Sequence, residues 1–139
     1  MTGAIINKMI TEYVETHKDK AVAFESLGQL RYLSALQFVD FVIGNSSSGM
    51  TEVPAFYIPT INIGERQKGR INCASIINSD NSLEDIKKNI TFALDKTFRE
   101  KIQQQELLYG NGTAAEKILQ IIKEHNHISI KKSFYNIDF

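Results

Sequence analysis

The chain has 139 residues, of which 42% are hydrophobic, and this is enough apolar material for the core of one ordinary domain. Its 16 Lys and Arg residues balance 16 Asp and Glu residues, so the basic excess typical of a nucleic-acid-binding protein is missing and we expect no nucleic-acid partner. A single cysteine, Cys73, excludes an internal disulfide and a multi-cysteine zinc site, and we expect it to be a small buried residue.

Helix-like and strand-like segments alternate along the first third of the chain. The spacing of apolar residues predicts helices over 4–17 and 29–38. Short apolar runs predict strands over 20–25 and 40–43. The second of these runs ends at Gly44, and its nearly continuous apolar character is typical of a buried strand in a parallel sheet.

The same alternation continues to residue 125. In chain order we predict a short helix over 47–56, strands over 60–63 and 74–77, helices over 82–94 and 98–108, a turn over 109–112, and a last long helix after 113. Ser82 is the expected cap of one helix. Thr113 is the expected cap of the last, where Glu116 completes a capping-box spacing. Strands separated by helices predict an α/β fold with a parallel sheet.

The loop between the second predicted strand and the next helix has the composition of an anion-binding site. It reads Gly-Asn-Ser-Ser-Ser-Gly over 44–49. Ligands of parallel sheets bind at the carboxyl ends of the strands, and the backbone amides of a helix start attract anions. The serine hydroxyls of Ser46 and Ser47 add donors. The loop is neither a Walker motif nor GxGxxG, and a plain helix cap in a tight turn would use the same residue types.

Three further side chains favour a nucleotide over a simple turn. Glu52 follows Ser48 by one helical turn, where a carboxylate can accept hydrogen bonds from two ribose hydroxyls or simply complement the helix dipole. Arg66 belongs to a loop with three cations over 64–70, which suits a diphosphate but is also typical of a solvated charge run. Tyr32, after the strand predicted over 20–25, could stack on a base or serve packing alone.

Other common active-site patterns are missing from the sequence. The three histidines have no spacing typical of a metal site, so we predict no metal. The Gly-x-Ser-x-Gly elbow of a serine hydrolase is not met either. There is no signal-peptide pattern and no apolar stretch long enough for a membrane span, so we expect a cytoplasmic protein without a membrane partner.

Taken in order, these motifs resemble one enzyme family over about residues 4–125. The segments that carry the resemblance are SLGQLRYL over 26–33, IGNSSSG over 43–49, Glu52, PTINIG over 59–64, RQKGR over 66–70 and GNGTAA over 110–115. Together they resemble the hydrolysing UDP-N-acetylglucosamine 2-epimerases, and more narrowly the sialic-acid-pathway type that releases N-acetylmannosamine.

The resemblance implies a fold and a set of binding roles. It implies that residues 1–125 form the Rossmann-like C-terminal domain of a two-domain GT-B fold, with helices on both faces of the sheet. Ser46 and Ser47 would then hold the UDP diphosphate and Glu52 the ribose hydroxyls. Tyr32 would pack on uracil, and Arg66 would reach the phosphate or sugar side. The family needs no metal or redox cofactor.

The resemblance also implies a reaction, but not one that this chain performs alone. In the family, the C2 proton is removed with anti loss of UDP to give a glycal, and water then adds to yield the 2-epimer. The acid and base carboxylates of the N-terminal domain have no counterpart here, so we expect no catalytic residue in this chain. We expect an inactive fragment that needs its N-terminal domain, and a tail over 126–139 that packs on a neighbouring surface.

Two other functions are compatible with the same residues. A GT-B glycosyltransferase domain would bind a UDP-sugar in a similar way and transfer the sugar to an acceptor. A stand-alone nucleotide-binding module would bind UDP without catalysis. In each case the apolar surface that would normally meet the rest of the protein is expected to promote homo-oligomerisation.

Overall fold

The computed structural model describes residues 2–125 and residue 131, so the predicted packing of the tail over 126–139 lies outside the described residues. The chain divides after Val39 into two compact units. The helices are α1 (Thr2–Thr16), α2 (Gly28–Ala35), α3 (Ser48–Thr51), α4 (Leu83–Ala93), α5 (Lys96–Ile102) and α6 (Ala114–Glu124), with a 3₁₀ helix over Val53–Phe56. The strands are β1 (Val42–Gly44), β2 (Thr60–Ile63) and β3 (Ile76–Ser79). No helix in the described part of the chain combines the length and the apolar character of a membrane span.

The first unit contains the two helices predicted for it but not the predicted strand. Both α1 and α2 lie within two or three residues of their predicted bounds. The segment over 20–25 has no strand geometry, and the side chains of Val22 and Phe24 are mostly exposed. A strand requires a hydrogen-bonded neighbour, and all strands of the described sheet come from residues 42–79. The prediction of a strand here was therefore wrong.

The second unit is built around a parallel sheet, which confirms the α/β class. The strand order is β1-β2-β3, with Val42 opposite Thr60 and Thr60 opposite Ile76. The strand predicted over 40–43 is β1, and its parallel pairing is confirmed. Its predicted burial was wrong, since β1 has a hydrogen-bonded neighbour on one side in this sheet and Ile43 is 43% exposed. The strand predicted over 74–77 lies two residues later as β3, because a turn closes from the Cys73 carbonyl to the Ile76 amide.

Helices cover both faces of this sheet. Successive side chains of β2 point to opposite faces, so each face offers side chains for a helix to pack against. On one face, Ile61 packs with Ile77 of β3 and Ala93 of α4, and these three buried residues form the centre of the core. On the other face, the Thr60 hydroxyl donates a 2.9 Å hydrogen bond to the Gly49 carbonyl of α3. β2 is the central strand of this sheet, and its Ile61 and Ala93 of α4 are both 0% exposed.

Two helix boundaries differ from the prediction. The helix predicted over 98–108 is α5, which begins earlier because the Asp95 side chain accepts a hydrogen bond from the backbone amide three residues on. It ends earlier because the following segment is tied elsewhere: the Gln105 side chain donates to the Pro54 carbonyl at 3.0 Å. The same side chain accepts a 2.8 Å hydrogen bond from the Ser75 amide, so the segment after α5 is held to two distant parts of the chain.

The capping box predicted for the last helix does not form. The helix α6 begins after Thr113 as expected, but the Thr113 side chain makes no cap to a helix amide. Its hydroxyl donates instead to the Asn111 side chain at 2.7 Å. By contrast, the Ser82 hydroxyl accepts a bond from the Asp85 amide, so the predicted cap of α4 is confirmed.

Candidate functional site

The serine loop lies where the sequence predicts it, between the carboxyl end of β1 and the start of α3. Its side chains are exposed at Ser46 and Ser47. The Ser46 hydroxyl lies 3.3 Å from both the amide and the hydroxyl of Ser48, which holds the loop in a compact turn. The Ser47 side chain makes no cap to the helix. The loop therefore presents small polar side chains to solvent at the carboxyl edge of the sheet, a usual place for ligands of such sheets.

The helix behind the serine loop is shorter than expected. The α3 helix has four residues before the backbone continues as a 3₁₀ helix, so few peptide dipoles are aligned there. The predicted attraction of an anion to this helix start is correspondingly weak. Any anion bound here would depend on the hydroxyls and on nearby cations.

The carboxylate of Glu52 lies one turn behind the loop, as its spacing predicts. The Glu52 amide donates to the Ser48 carbonyl at 2.9 Å, which places the two residues on one side of the turn. The side chain is half-buried, and within the described residues it forms no ion pair or hydrogen bond. Both oxygens of this carboxylate are therefore free to accept hydrogen bonds from a ligand.

The loop that follows β2 is connected directly to the serine loop. The Gln67 side chain donates a 2.7 Å hydrogen bond to the carbonyl of Asn45, next to Ser46. Lys68 pairs with Glu65 at 2.9 Å, whereas Arg66 is exposed and has no ion pair within the described residues. The structure thus brings the two predicted loops together and leaves the Arg66 guanidinium available.

A cleft of about 570 Å³ lies at the carboxyl ends of β2 and β3, beside these loops. Residues of the loop after β2, including Lys68 and Arg70, form one wall. Asn78 of β3 and Asp80, which follows this strand, also line the cleft. Hydrogen bonds from the Ser82 hydroxyl, and then from the Ser82 backbone amide, hold the pKa of Asp80 below its ordinary value. Asp80 therefore contributes a negative charge to the cleft at neutral pH.

Two buried amide side chains line the same cleft. Asn62 is 3% exposed and donates a 2.9 Å hydrogen bond to the Asn78 side chain. Gln67 is 4% exposed and donates to Asn45. The carbonyl oxygens of both amides, Asn62 Oδ1 and Gln67 Oε1, are buried and have no hydrogen-bond partner among the described residues. Buried polar atoms are nearly always paired, so these two require an explanation.

The fifth predicted residue, Tyr32, lies in the first unit. It occupies the middle of α2, and its side chain is half-buried. Ser46, Ser47, Glu52 and Arg66 all belong to the second unit. Within the described residues, no group of three His, Cys, Asp or Glu side chains is arranged to hold a metal ion.

Comparison with known proteins identifies the family. A model of the UDP-N-acetylglucosamine 2-epimerase family matches residues 2–123. The chain belongs to this family. It is 45% identical over 78 residues to the GDP/UDP-N,N'-diacetylbacillosamine 2-epimerase (hydrolyzing) of Campylobacter jejuni, covering 56% of this chain and 20% of that protein.

Two further relatives match almost the whole chain. The polysialic acid biosynthesis protein P7 of Escherichia coli is 33% identical over 139 residues, which are 98% of this chain and 35% of that protein. The UDP-N,N'-diacetylbacillosamine 2-epimerase (hydrolyzing) of Legionella pneumophila is 30% identical over 136 residues, or 96% and 34%. The chain thus spans about a third or less of the length of these relatives. The predicted family and the Rossmann-like α/β fold are confirmed.

The two buried amides that line the cleft, Asn62 and Gln67, were not predicted from the sequence. Asn62 had a visible signal, since an amide in the middle of the buried strand Thr-Ile-Asn-Ile has no obvious place in an apolar core. Gln67 had none, because between two cations on a loop it is an ordinary surface residue. Its burial depends on contacts with a segment 22 residues earlier in the chain.

Proposed function

We propose that this chain is the UDP-binding part of a hydrolysing UDP-N-acetylglucosamine 2-epimerase of GT-B architecture. The observation that carries the proposal is the placement of Ser46, Ser47 and the unpaired Glu52 carboxylate around one turn at the carboxyl edge of the sheet. Membership of the epimerase family gives this arrangement its nucleotide-sugar interpretation. A domain with exposed hydroxyls beside a free carboxylate is well suited to bind both the diphosphate and the ribose of UDP.

Each of the five residues has a proposed role in binding UDP. The hydroxyls of Ser46 and Ser47 donate to the diphosphate. Glu52 accepts hydrogen bonds from the two ribose hydroxyls, and Arg66 supplies positive charge on the phosphate or sugar side. Tyr32 packs its ring against uracil. Because α3 is a single turn, its dipole attracts the phosphates only weakly. Arg66 therefore supplies a larger share of the electrostatic attraction than it would beside a long helix.

The proposed reaction needs groups outside this chain. A base removes the C2 proton of the sugar, the C1–O bond to UDP breaks with its electron pair on the phosphate oxygen, and a C1=C2 double bond forms. Water then adds, placing hydroxyl on C1 and hydrogen on C2 from the opposite face, so the products are N-acetylmannosamine and UDP. In this scheme the chain holds the leaving group, and the N-terminal domain supplies the acid and base. The chain alone is therefore inactive, although binding of UDP assists the reaction.

The names of the relatives favour a second sugar as an alternative substrate. Two of them are named as N,N'-diacetylbacillosamine 2-epimerases. We therefore propose UDP-activated 2-acetamido sugars as the substrate class. A full-length protein carrying this chain, incubated with each UDP-sugar, should release the free 2-epimer and UDP. Transfer of the sugar to an acceptor without epimerisation would instead identify a glycosyltransferase.

Isothermal titration of this chain with UDP tests the binding part of the proposal. We expect saturable binding that weakens by about 1.5–3 kcal/mol in Ser46→Ala and in Glu52→Ala, because each removes a hydrogen bond with a charged partner. Thr91→Ala, on the exposed surface of α4, is the control and should bind like the wild type. Wild-type affinity in both site variants would show that UDP binds elsewhere, and a wild-type chain that does not bind UDP would contradict the proposal.

A further inference from the structure

We infer that the cleft between the carboxyl ends of β2 and β3 binds a neutral sugar ring, whose hydroxyl or amide hydrogens are accepted by Asn62 and Gln67. This inference rests on the proposed function and deepens it, because it assigns the sugar moiety to a place separate from the serine loop. Asn62 and Gln67 then act as specificity-determining residues. A sugar that lacks a donor at the matching position leaves a buried acceptor unpaired.

The hydrogen bond to Asn45 fixes the orientation of the Gln67 amide and leaves its oxygen as the unpaired acceptor. Its Nε2 donates to the Asn45 carbonyl at 2.7 Å, and a carbonyl can only accept. Rotating the amide by half a turn would set two oxygens against each other, so the observed orientation is the stable one. Oε1 is left buried without a partner among the described residues. A buried acceptor without a partner raises the free energy of the unliganded protein. A ligand that donates a hydrogen bond to this acceptor removes that penalty.

Asn62, on β2, also has an unpaired amide oxygen. Its Nδ2 donates to Asn78 at 2.9 Å, and its Oδ1 is buried without a partner in the described part of the chain. Both residues line the same cleft, and both are more than nine-tenths buried. Two unpaired acceptors among the lining residues favour a ligand that offers at least two hydrogen-bond donors.

The charge of the cleft favours a neutral ligand over a phosphate. Its charged lining residues are Glu65, Lys68, Arg70 and Asp80, so two negative charges offset two positive ones. A phosphate would be repelled by the carboxylates and by the two amide oxygens, since it offers mainly acceptors. A pyranose ring carries both donors and acceptors and no charge. The volume of about 570 Å³ lies within the range typical of small-molecule sites.

The first test uses the unmodified chain and a sugar without a nucleotide. In a titration with methyl N-acetyl-β-glucosaminide followed by ¹⁵N NMR, the side-chain amide signals of Asn62 and Gln67 should shift and saturate together. The signal of Asn89, a buried amide on α4 that does not line this cleft, serves as the control and should not move. Absence of a saturable shift at Asn62 and Gln67 would overturn the inference.

The second test separates the sugar from the nucleotide. Asn62→Leu keeps the size of the side chain and removes the acceptor. Asn78, which loses its hydrogen-bond partner, is exposed and can bond to water instead, so we expect the variant to fold. Its affinity for UDP-N-acetylglucosamine should fall about tenfold, equivalent to about 1.4 kcal/mol, while its affinity for UDP stays unchanged. Asn89→Leu should change neither affinity. Equal losses for both ligands in Asn62→Leu would overturn the inference.

The two tests also separate this inference from the proposed function. If the wild-type chain binds no UDP, the proposed function fails, and the methyl glycoside titration still decides whether the cleft accepts a sugar. If UDP binds but the methyl glycoside moves neither amide signal, the proposed function stands and the sugar site is excluded. Gln67 is left unchanged in the affinity comparison because it supports the serine loop through Asn45.

Discussion

Gly49 is the residue on which the packing of the serine-loop helix against the sheet depends. A Cβ at this position would lie 2.8 Å from Cγ2 of Thr60. Thr60 is 3% exposed, is β-branched and donates to the Gly49 carbonyl, so it has little freedom to move away. The glycine is therefore required by close approach of α3 to β2 and not by its backbone angles.

We predict that Gly49→Ala lowers the free energy of unfolding by about 1–3 kcal/mol, the usual cost of an overpacked core. The gain in helix propensity from glycine to alanine, about 1 kcal/mol at most, does not offset this. Urea denaturation measures the difference. Gly3→Ala in α1 is the matched control, since a Cβ there meets no atom within 4 Å, and it should be neutral or stabilising. A Gly49→Ala variant as stable as the wild type would contradict the packing described above.

At the scale of elements, α4 and α6 show how differently two predicted caps behave. Ser82 has the extended backbone of an N-cap, with φ −78° and ψ 143°, and its hydroxyl accepts from the Asp85 amide at 3.2 Å. Thr113 has φ −90° and ψ 8°, and its hydroxyl is bonded to Asn111. In both helices a hydroxyl residue is followed three residues later by an acidic one. This pattern therefore forms a cap only where the hydroxyl residue has an extended backbone.

We predict that Ser82→Ala costs about 1 kcal/mol of stability, because it removes the cap of the helix that covers the sheet core. Thr113→Ala should cost clearly less, since no helix amide loses its partner. Chemical denaturation of the two variants under the same conditions gives the comparison. Equal destabilisation by both substitutions would show that the cap geometry of α4 contributes nothing.

For the molecule as a whole, α6 presents an apolar surface that its own unit does not bury. The helix has no buried residue, and its four large aliphatic side chains are each more than half exposed: Ile118, Leu119, Ile121 and Ile122. Apolar patches of this kind mark surfaces that meet another molecule or another part of the same protein. The proposal that the chain self-associates rests on this surface.

We predict that the chain associates with itself in a concentration-dependent way, and that Ile118→Glu combined with Ile122→Glu weakens the association. The charges disfavour burial of the helix face without changing the fold, because neither side chain is part of the core. Sedimentation velocity over a wide concentration range measures the effect, with Lys117→Glu as a charge control on the same helix. A wild-type chain that remains monomeric throughout would refute the prediction.

Features that depend on neighbouring residues can be predicted directly from the sequence. Apolar periodicity is enough to identify α1, and the Ser82 cap with the acidic residues after it identifies α4. The run Thr-Ile-Asn-Ile predicts β2 with its observed bounds. The Ser82 cap and the position of Glu52 one turn behind Ser48 also follow from short-range hydrogen bonds. The ordered motifs identified the family for the same reason, since they are read directly from the chain.

Features that depend on distant partners can be seen only in the tertiary structure. The segment over 20–25 has the composition of a strand but no neighbour to pair with in the described sheet. Gln67 is buried only because it reaches Asn45, and Asn62 meets Asn78 only across the sheet. Burial and strand pairing are set by contacts between remote segments, and local propensity carries no information about which segments meet. The cleft therefore became visible only in the folded chain.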